Sequence, residues 1–248
     1  LPPNTTYERF RHLEEAMMTD SQTVAKVVAM RELGYTVVQH GEGAVVDQVQ
    51  RGSAADRAGI GKGDLIVAID GTPIQTDQQL IDLIGQLPPG RQISVTIKPN
   101  NSETQKTVEA TLGARPGEPD KPLLGITPVT YHPTWDFPVK VNIDSQGIIG
   151  PSAGLVLTLS IMQGLSPTDI THGHNVAATG TIDINGNVGP IGDAGDKVLA
   201  ATGHADYFFV PKANLEEAQS QASSRIKVVE IDSIEQAKSF LDGLASRK

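Results

Sequence analysis

Residues 114–122 read Ala-Arg-Pro-Gly-Glu-Pro-Asp-Lys-Pro, and this stretch constrains the fold most strongly. Each proline removes a backbone donor and fixes φ, so a helix cannot run through the segment and an inner strand cannot accept it. With its charges and its glycine, the stretch has the composition of a linker. It divides the 248 residues into two parts, each long enough to enclose a core. The elements predicted on the two sides differ in kind. The expectation is an α+β chain with a helical segment over 1–34, a β-rich domain over 35–115 and an alternating α/β domain over 116–248.

Residues 5–33 read as helical. Asp20 or Ser21 offers an N-cap in mid-segment, Val24, Val27, Val28 and Leu33 recur at helical spacing, and Gly34 stands where a helix stops. From Tyr35 the period shortens to two. "YTVV", "GAVVDQV", "DLIVAID", "RQISVTIKP" and "TVEATLG" read as strands, and Ile93, Val95 and Ile97 share one face. Between them, Ser53 caps a short helix that Gly59 ends, and Leu80, Ile81, Ile84 and Leu87 mark one face of another. Beyond the linker, "LLGITPVT" and "VKVNI" read as strands and "SAGLVLTLSIMQGL" as a helix. A strand pair turning at Asn185-Gly186 follows, and then helices alternate with the strands "YFFVP" and "KVVEI".

Composition excludes several function classes. A net charge of −9 gives no basic face for a nucleic-acid backbone. The absence of cysteine removes disulfides, thiol catalysis and cysteine-ligated zinc. No apolar run reaches the roughly 18–20 residues that span a bilayer, and no signal peptide opens the chain. The chain begins at Leu1, which fits an N-terminus from which a preceding segment, an anchor included, was removed.

The chemistry centres on Gly150-Pro151-Ser152-Ala153-Gly154, which satisfies the G-x-S-x-G pattern of a nucleophile elbow. An elbow needs an acid and then a histidine downstream; Asp169 with His172 or His174, or Asp193 with His204, could be nominated. Only 96 residues remain to supply the rest of a large sheet, and Pro151 is an awkward neighbour for a strained turn. The pair His172-x-His174 is the closest approach to a metal motif, and without a third ligand no metal is expected. "GIGKGD" around Lys62 lacks the spacing of a phosphate-binding loop, so no nucleotide or other cofactor is expected.

A serine can instead take a lysine base, which must be neutral. Its pKa must then fall from about 10.4 toward neutrality through burial or nearby positive potential. Lys197 in "GDAGDKVLAATG" fits, near the start of a predicted helix and followed by Val198, Leu199, Ala200 and Ala201. Asp193 is expected as the N-cap, and Asp196 points away around the helix. Ser152 stands where free helix N–H groups could hold an oxyanion, and the same local sequence fits a serine that only caps its own helix.

Two resemblances add to this reading. "GAVVDQVQRGSAADRAGIGKGDLIVAIDGTPI" resembles bacterial-type PDZ domains over about residues 35–115. That resemblance implies a groove for an extended peptide between the strand carrying Gly43, Ala44 and Val45 and the helix carrying Ile81 and Ile84. "GPSAGLVL" and "ATGTIDINGNVGPIGDAGDKVLAATGHADYFFVP" resemble the proteolytic domain of Lon-type proteases from about residue 122 onward. In that family the serine of G-P-S-A-G is the nucleophile and a lysine forty-odd residues on is the base; here Lys197 lies 45 residues after Ser152. Thr179 falls where the family has a threonine that helps position the lysine. Ile149, Thr181 and Gly195-Asp196 depart from the usual family residues, and the dyad positions do not.

The whole chain is thus similar to PDZ-containing, ATP-independent Lon-like proteases. The resemblance implies a serine endopeptidase acting on polypeptides without nucleotide. It also implies a homo-oligomer, anchored to the membrane on its extracytoplasmic side by a segment outside this chain. The alternative is a PDZ-led peptide-binding or scaffolding protein whose Lon-like half no longer cleaves.

Overall fold

The computed structural model describes residues 7–144 and 150–247, with side chains from residue 14 onward. It divides into two compact units, one formed by the chain up to Val37 together with the chain from Phe137, the other by Val38–Asp136. Helix α1 (Tyr7–Glu32) opens the first unit. The second unit contains β1 (Val38–His40), β2 (Ala44–Val49), α2 (Ala54–Arg57), β3 (Leu65–Ile69), β4 (Thr72–Pro73), α3 (Asp77–Gly85), β5 (Gln92–Lys98), β6 (Lys106–Thr111), β7 (Gly113–Arg115), β8 (Glu118–Leu123), β9 (Ile126–Thr130) and β10 (Thr134–Asp136). The first unit resumes with α4 (Gly154–Leu165), β11 (Val176–Ala178), β12 (Thr181–Ile182), β13 (Val188–Gly189), α5 (Ala194–Ala201), β14 (Tyr207–Val210), α6 (Leu215–Gln221), β15 (Lys227–Glu230) and α7 (Ile234–Asp242).

In the second unit, strands run in the order β6-β5-β3-β2-β9, with β4 beside β3. The alternation expected in β5 holds, since Ile93, Val95 and Ile97 are all buried while the residues between them are only half-buried. With Val46, Ile66, Ile69, Leu80 and Ile84 they form one core. Each such side chain contributes about 1.5–3 kcal/mol on burial. Thr76, rather than a charged residue, caps α3 by accepting from the Gln79 N–H at 3.1 Å. Where the chain enters and leaves this unit, β1 pairs with β10 and the His40 imidazole meets Asp136 at 2.8 Å.

The stretch 114–122 is not an extended linker. Residues 113–115 and 118–123 form the β7–β8 hairpin, turning at Pro116-Gly117 with Gly117 at φ +79°. Pro119 and Pro122 lie in a two-stranded ribbon, where half of each strand's donors face outward and are not needed. The predicted strand "LLGITPVT" likewise belongs to the second unit, because β9 pairs with β2 from Ala44↔Thr130 to Val49↔Ile126. Residues 116–136 therefore pack with the β-rich block, against the expected boundary at 115/116.

The first unit is three-layered. Parallel strands β11-β14-β15 form its sheet. Phe208 and Phe209 point to opposite faces, Phe208 into a core with Val198 of α5 and Ala218 of α6, Phe209 into a core with Ala25 and Ala29 of α1, Leu155 of α4 and Leu241 of α7. A strand buried on both faces reads as continuous apolar sequence, which is why "YFFV" shows no alternation. Helix α1 runs unbroken past Asp20 and Ser21, where a cap was expected, and ends before Gly34 at φ +82°. Burial of Ser21 outweighs its preference for a cap. "VKVNI" forms no strand; Val141 and Ile143 pack on the core without joining a ladder. No described helix is long and apolar enough to cross a membrane.

The C-terminal tail is fastened by Asp206, which accepts from the Asn175 N–H at 2.9 Å and from the Arg247 guanidinium at 2.6 Å. The Asn175 N–H, then the charges of Arg247 and His174, hold the Asp206 carboxyl below the usual carboxylate range. A folded-state pKa below the unfolded one stabilises fully above the unfolded value and is lost as pH falls through the folded value. Asp206→Asn is therefore expected to lower the melting temperature at pH 7, with the gap to wild type closing below about pH 4. Melting curves from neutral to acid pH check this; a constant gap would contradict it.

Candidate active site

Ser152 sits in a single 3-10 turn, Pro151–Ala153, that runs directly into α4. Pro151 supplies the fixed φ that suits a first helical position. Gly150 precedes it at φ +90°, a conformation that side chains rarely tolerate, and donates its N–H to the Glu14 carbonyl at 3.2 Å. The turn is clamped through its main chain. The Ser152 carbonyl accepts from the Gly180 N–H at 2.9 Å and from the buried Thr179 hydroxyl at 3.2 Å, while the Leu155 N–H returns to the Gly180 carbonyl at 3.0 Å. The Thr179 N–H is held by the Phe209 carbonyl at 3.0 Å, tying the clamp to the sheet.

Ser152 occupies neither cap position. Gly150 and Ala153 are the N-caps of the turn and of α4, and neither makes a side-chain capping bond. A fixed serine whose side chain does no capping suits a nucleophile better than a structural stop. The resemblance implies that Thr179 helps to position the lysine; in the structure its hydroxyl holds the main chain of Ser152. Thr179→Val, which keeps the shape and removes the donor, is expected to lower turnover about 10–100-fold, through loss of placement. The stability cost is only about 1 kcal/mol, and Thr179→Ser should restore turnover. Equal kcat in Thr179→Val and wild type would contradict this role.

Lys197 is the fourth residue of α5 and half-buried, with Ala194, Gly195 and Val198 buried around it and Asp196 exposed. Among the described residues, no ion pair or hydrogen bond engages its ammonium, and none joins it to Ser152. Neither Asp193 nor Asp196 pairs with it. Asp193 stands at the N-cap as expected but at φ +57°, without a side-chain bond. The start of α5 is held from α6 and the residues before it. Glu217 accepts from the Gly195 N–H at 3.1 Å, and the buried Asn214 amide exchanges two hydrogen bonds with Ile191. Nothing in the local sequence marks Glu217 or Asn214 for this.

The hydrolase-elbow partners do not assemble. Asp169 is spent within its own turn on Thr171 and Gly173, His174 meets the Ala245 carbonyl at 3.1 Å, and His204 is exposed. No group of three His, Cys, Asp or Glu side chains stands together among the described residues.

The expected peptide groove needs correction. Strand β2 is an inner strand, paired with β3 on one side and β9 on the other, so Ala44 and Val45 cannot accept an added strand. Gly43 is close-packed; a Cβ there would lie 2.7 Å from the Ile66 carbonyl. Strand β9 is one of the sheet's two edges, and between it and α3 lies a cavity of about 160 Å³. Ile81 and Ile84 line it as expected, facing Leu124, Ile126 and Pro128, with Arg115 among the lining residues. The signal was present in "LLGITPVT", a glycine between apolar residues leading a strand.

Comparison with known proteins agrees with both parts. A PDZ domain family model matches residues 32–110, and that of the Lon protease C-terminal proteolytic domain matches residues 131–244, which contain Ser152, Thr179 and Lys197. A Lon protease of Malacoplasma penetrans is 32% identical over 160 residues, covering 62% of this chain and 20% of that protein. A probable periplasmic serine endoprotease, DegP-like, of Hahella chejuensis is 39% identical over 67 residues, 27% of this chain and 14% of that protein. The chain thus spans a fifth or less of the length of these relatives. Among solved structures, the PDZ domain of the SdrC-like protein of Listeria monocytogenes is 27% identical, with a TM-score of 0.32, covering 36% of this chain and 88% of that one.

Proposed function

We propose that this chain, which joins a PDZ domain to a Lon-type proteolytic domain, is an ATP-independent serine endopeptidase with Ser152 as nucleophile and Lys197 as general base. The observation that carries the reading is the clamped turn. It fixes a non-capping serine at the head of α4, inside the segment matched by the proteolytic family. A lysine engaged by no carboxylate among the described residues supports the second half of the dyad.

The Lys197 amine takes the Ser152 hydroxyl proton as Oγ attacks the peptide carbonyl carbon. The carbonyl oxygen carries the negative charge, stabilised by N–H groups at the head of α4. Collapse of this intermediate breaks the C–N bond, and the lysine ammonium protonates the leaving amine. Water, deprotonated by the same lysine, then hydrolyses the acyl-enzyme and regenerates the serine. No step calls for metal or nucleotide. The substrates are polypeptides, delivered by the PDZ groove between β9 and α3. The protein works as a homo-oligomer, anchored to the membrane on its extracytoplasmic face.

Casein cleavage without nucleotide and with chelator present tests the reading. Wild type is expected to cleave and Ser152→Ala to be silent; equal background in both would overturn it. A second reading, a PDZ-led binding protein with an inactive Lon-like half, is favoured by the absence of a Lys197–Ser152 hydrogen bond among the described residues. The same assay separates the two, since that protein would bind peptides without cutting them. For the groove, Ile81→Lys changes a half-exposed lining residue and spares the core. It is expected to weaken binding of apolar peptides about 10-fold or more by fluorescence anisotropy, while short-peptide cleavage stays constant. Unchanged affinity would place the peptide elsewhere.

A further inference from the structure

Helix α1 reaches the candidate active site from outside the proteolytic family match, and only its last residue, Glu32, falls within the PDZ match. Glu14, Met18, Ser21 and Ala25 lie at helical spacing on one face of it. That face meets both ends of Gly150-Pro151-Ser152-Ala153-Gly154. At the first end, the Glu14 carbonyl accepts the Gly150 N–H at 3.2 Å, and the half-buried Glu14 carboxylate fills the space that a Cβ on Gly150 would need. Among the described residues, and apart from Gly150's own chain neighbours, no other side chain or main chain stands within 4 Å of that space. At the second end, a Cβ on Gly154 would lie 3.1 Å from Ser21 Oγ. Beyond it, Ala25 shares a core with Leu155 of α4. Gly150 is buried at φ +90° and ψ 155° as the N-cap of the turn, so the direction in which the chain enters Pro151 and Ser152 is set there.

We infer that Glu14 is a positioning residue for Ser152, which makes α1 a working part of the proteolytic site. The inference rests on the endopeptidase reading and adds a residue to its machinery. Thr179 and Gly180 hold the turn at the Ser152 carbonyl. Glu14 holds it at Gly150, two residues earlier, through its main chain and its side chain together. Held at both points, the turn has little freedom to rotate, and Oγ keeps one direction. Glycine at 150 lets α1 come this close because it has no side chain. Removal of the Glu14 side chain opens a gap over Gly150 and frees the entry to the turn. A shift of about 1 Å at a nucleophile costs on the order of 100-fold in rate. The loss falls on kcat, since the groups that bind substrate stay in place.

The test measures kcat and KM of the full chain on an internally quenched peptide, with melting curves as the folding control. Glu14→Ala is expected to lower kcat about 10-fold or more at unchanged KM. Its melting temperature should hold, because alanine is the best helix former. Glu14→Gln, which keeps the shape of the side chain, should return kcat to near the wild-type value. Asp20→Ala removes the same charge from an exposed position of α1 and should leave both constants unchanged. Wild-type kcat in Glu14→Ala, a loss in Glu14→Gln as deep as in Glu14→Ala, or an equal loss in Asp20→Ala would overturn the inference and leave the endopeptidase intact. No cleavage by wild type beyond that of Ser152→Ala would overturn both.

Discussion

Lys197→Met is expected to leave the protein folded and to lower peptide cleavage by at least about 10⁴-fold, close to the loss in Ser152→Ala. Methionine keeps an unbranched apolar stem at this half-buried position and leaves the buried Ala194, Gly195 and Val198 unchanged, so the packing of α5 survives. What disappears is the acceptor for the serine proton and the donor for the leaving amine. Because nucleophile and base act as one unit, Ser152→Ala/Lys197→Met should be no slower than either single variant. Additive losses would mean that the two residues contribute separately. Measurement of kcat/KM on an internally quenched peptide, with circular dichroism as the folding control, gives the answer.

Gly154 carries the second large effect. It is buried at the first position of α4, and a Cβ there would lie 2.8 Å from the Ile182 N, 2.9 Å from its Cγ2 and 3.1 Å from Ser21 Oγ. The backbone contact cannot yield by a rotamer change, so Gly154→Ala must push α4 away from β12. The displacement falls two residues after Ser152, against the strand that follows Gly180, whose N–H clamps the turn. An overpacked site of this kind costs about 1–3 kcal/mol. A shift of about 1 Å at the nucleophile costs on the order of 100-fold in rate. Gly154→Ala should therefore lower the melting temperature and cut kcat far more than KM. Ser21→Ala alone should be nearly silent, because the Ser21 hydroxyl is buried with no hydrogen-bond partner among the described residues. Wild-type turnover in Gly154→Ala would show that the turn tolerates movement.

Local pattern carried much of the fold. The period-two run through Ile93, Val95 and Ile97, the Asn185-Gly186 turn between β12 and β13, and the apolar "YFFV" each depend on neighbours in sequence, and each stands where expected. The failures depend on partners far along the chain. Strand β9 pairs with β2 some eighty residues away, and that pairing draws the proline-rich hairpin before it into the β-rich unit. It also makes β2 an inner strand, so that of the expected groove residues only Ile81 and Ile84 line the cavity beside β9. Ser21 reads as a cap until α4 is known to cover it.

The candidate site divides the same way. Ser152 and Lys197 are nominated by the resemblance that G-P-S-A-G and the segment around Lys197 carry, since the local sequence of Ser152 fits a helix cap equally well. The supports were not legible. Thr179 and Gly180 meet Ser152 only through the fold, and Glu217 and Asn214 hold the start of α5 from a different segment. A clamped main chain leaves the serine side chain as the one part of the turn free to react.

The most direct measurement is reaction with a serine-directed fluorophosphonate, followed by peptide mapping by mass spectrometry. The account predicts one adduct, on Ser152, in the wild-type protein, and its loss in Lys197→Met, where no base activates the hydroxyl. An adduct on another serine, or equal labelling of Ser152 in both proteins, would contradict the dyad.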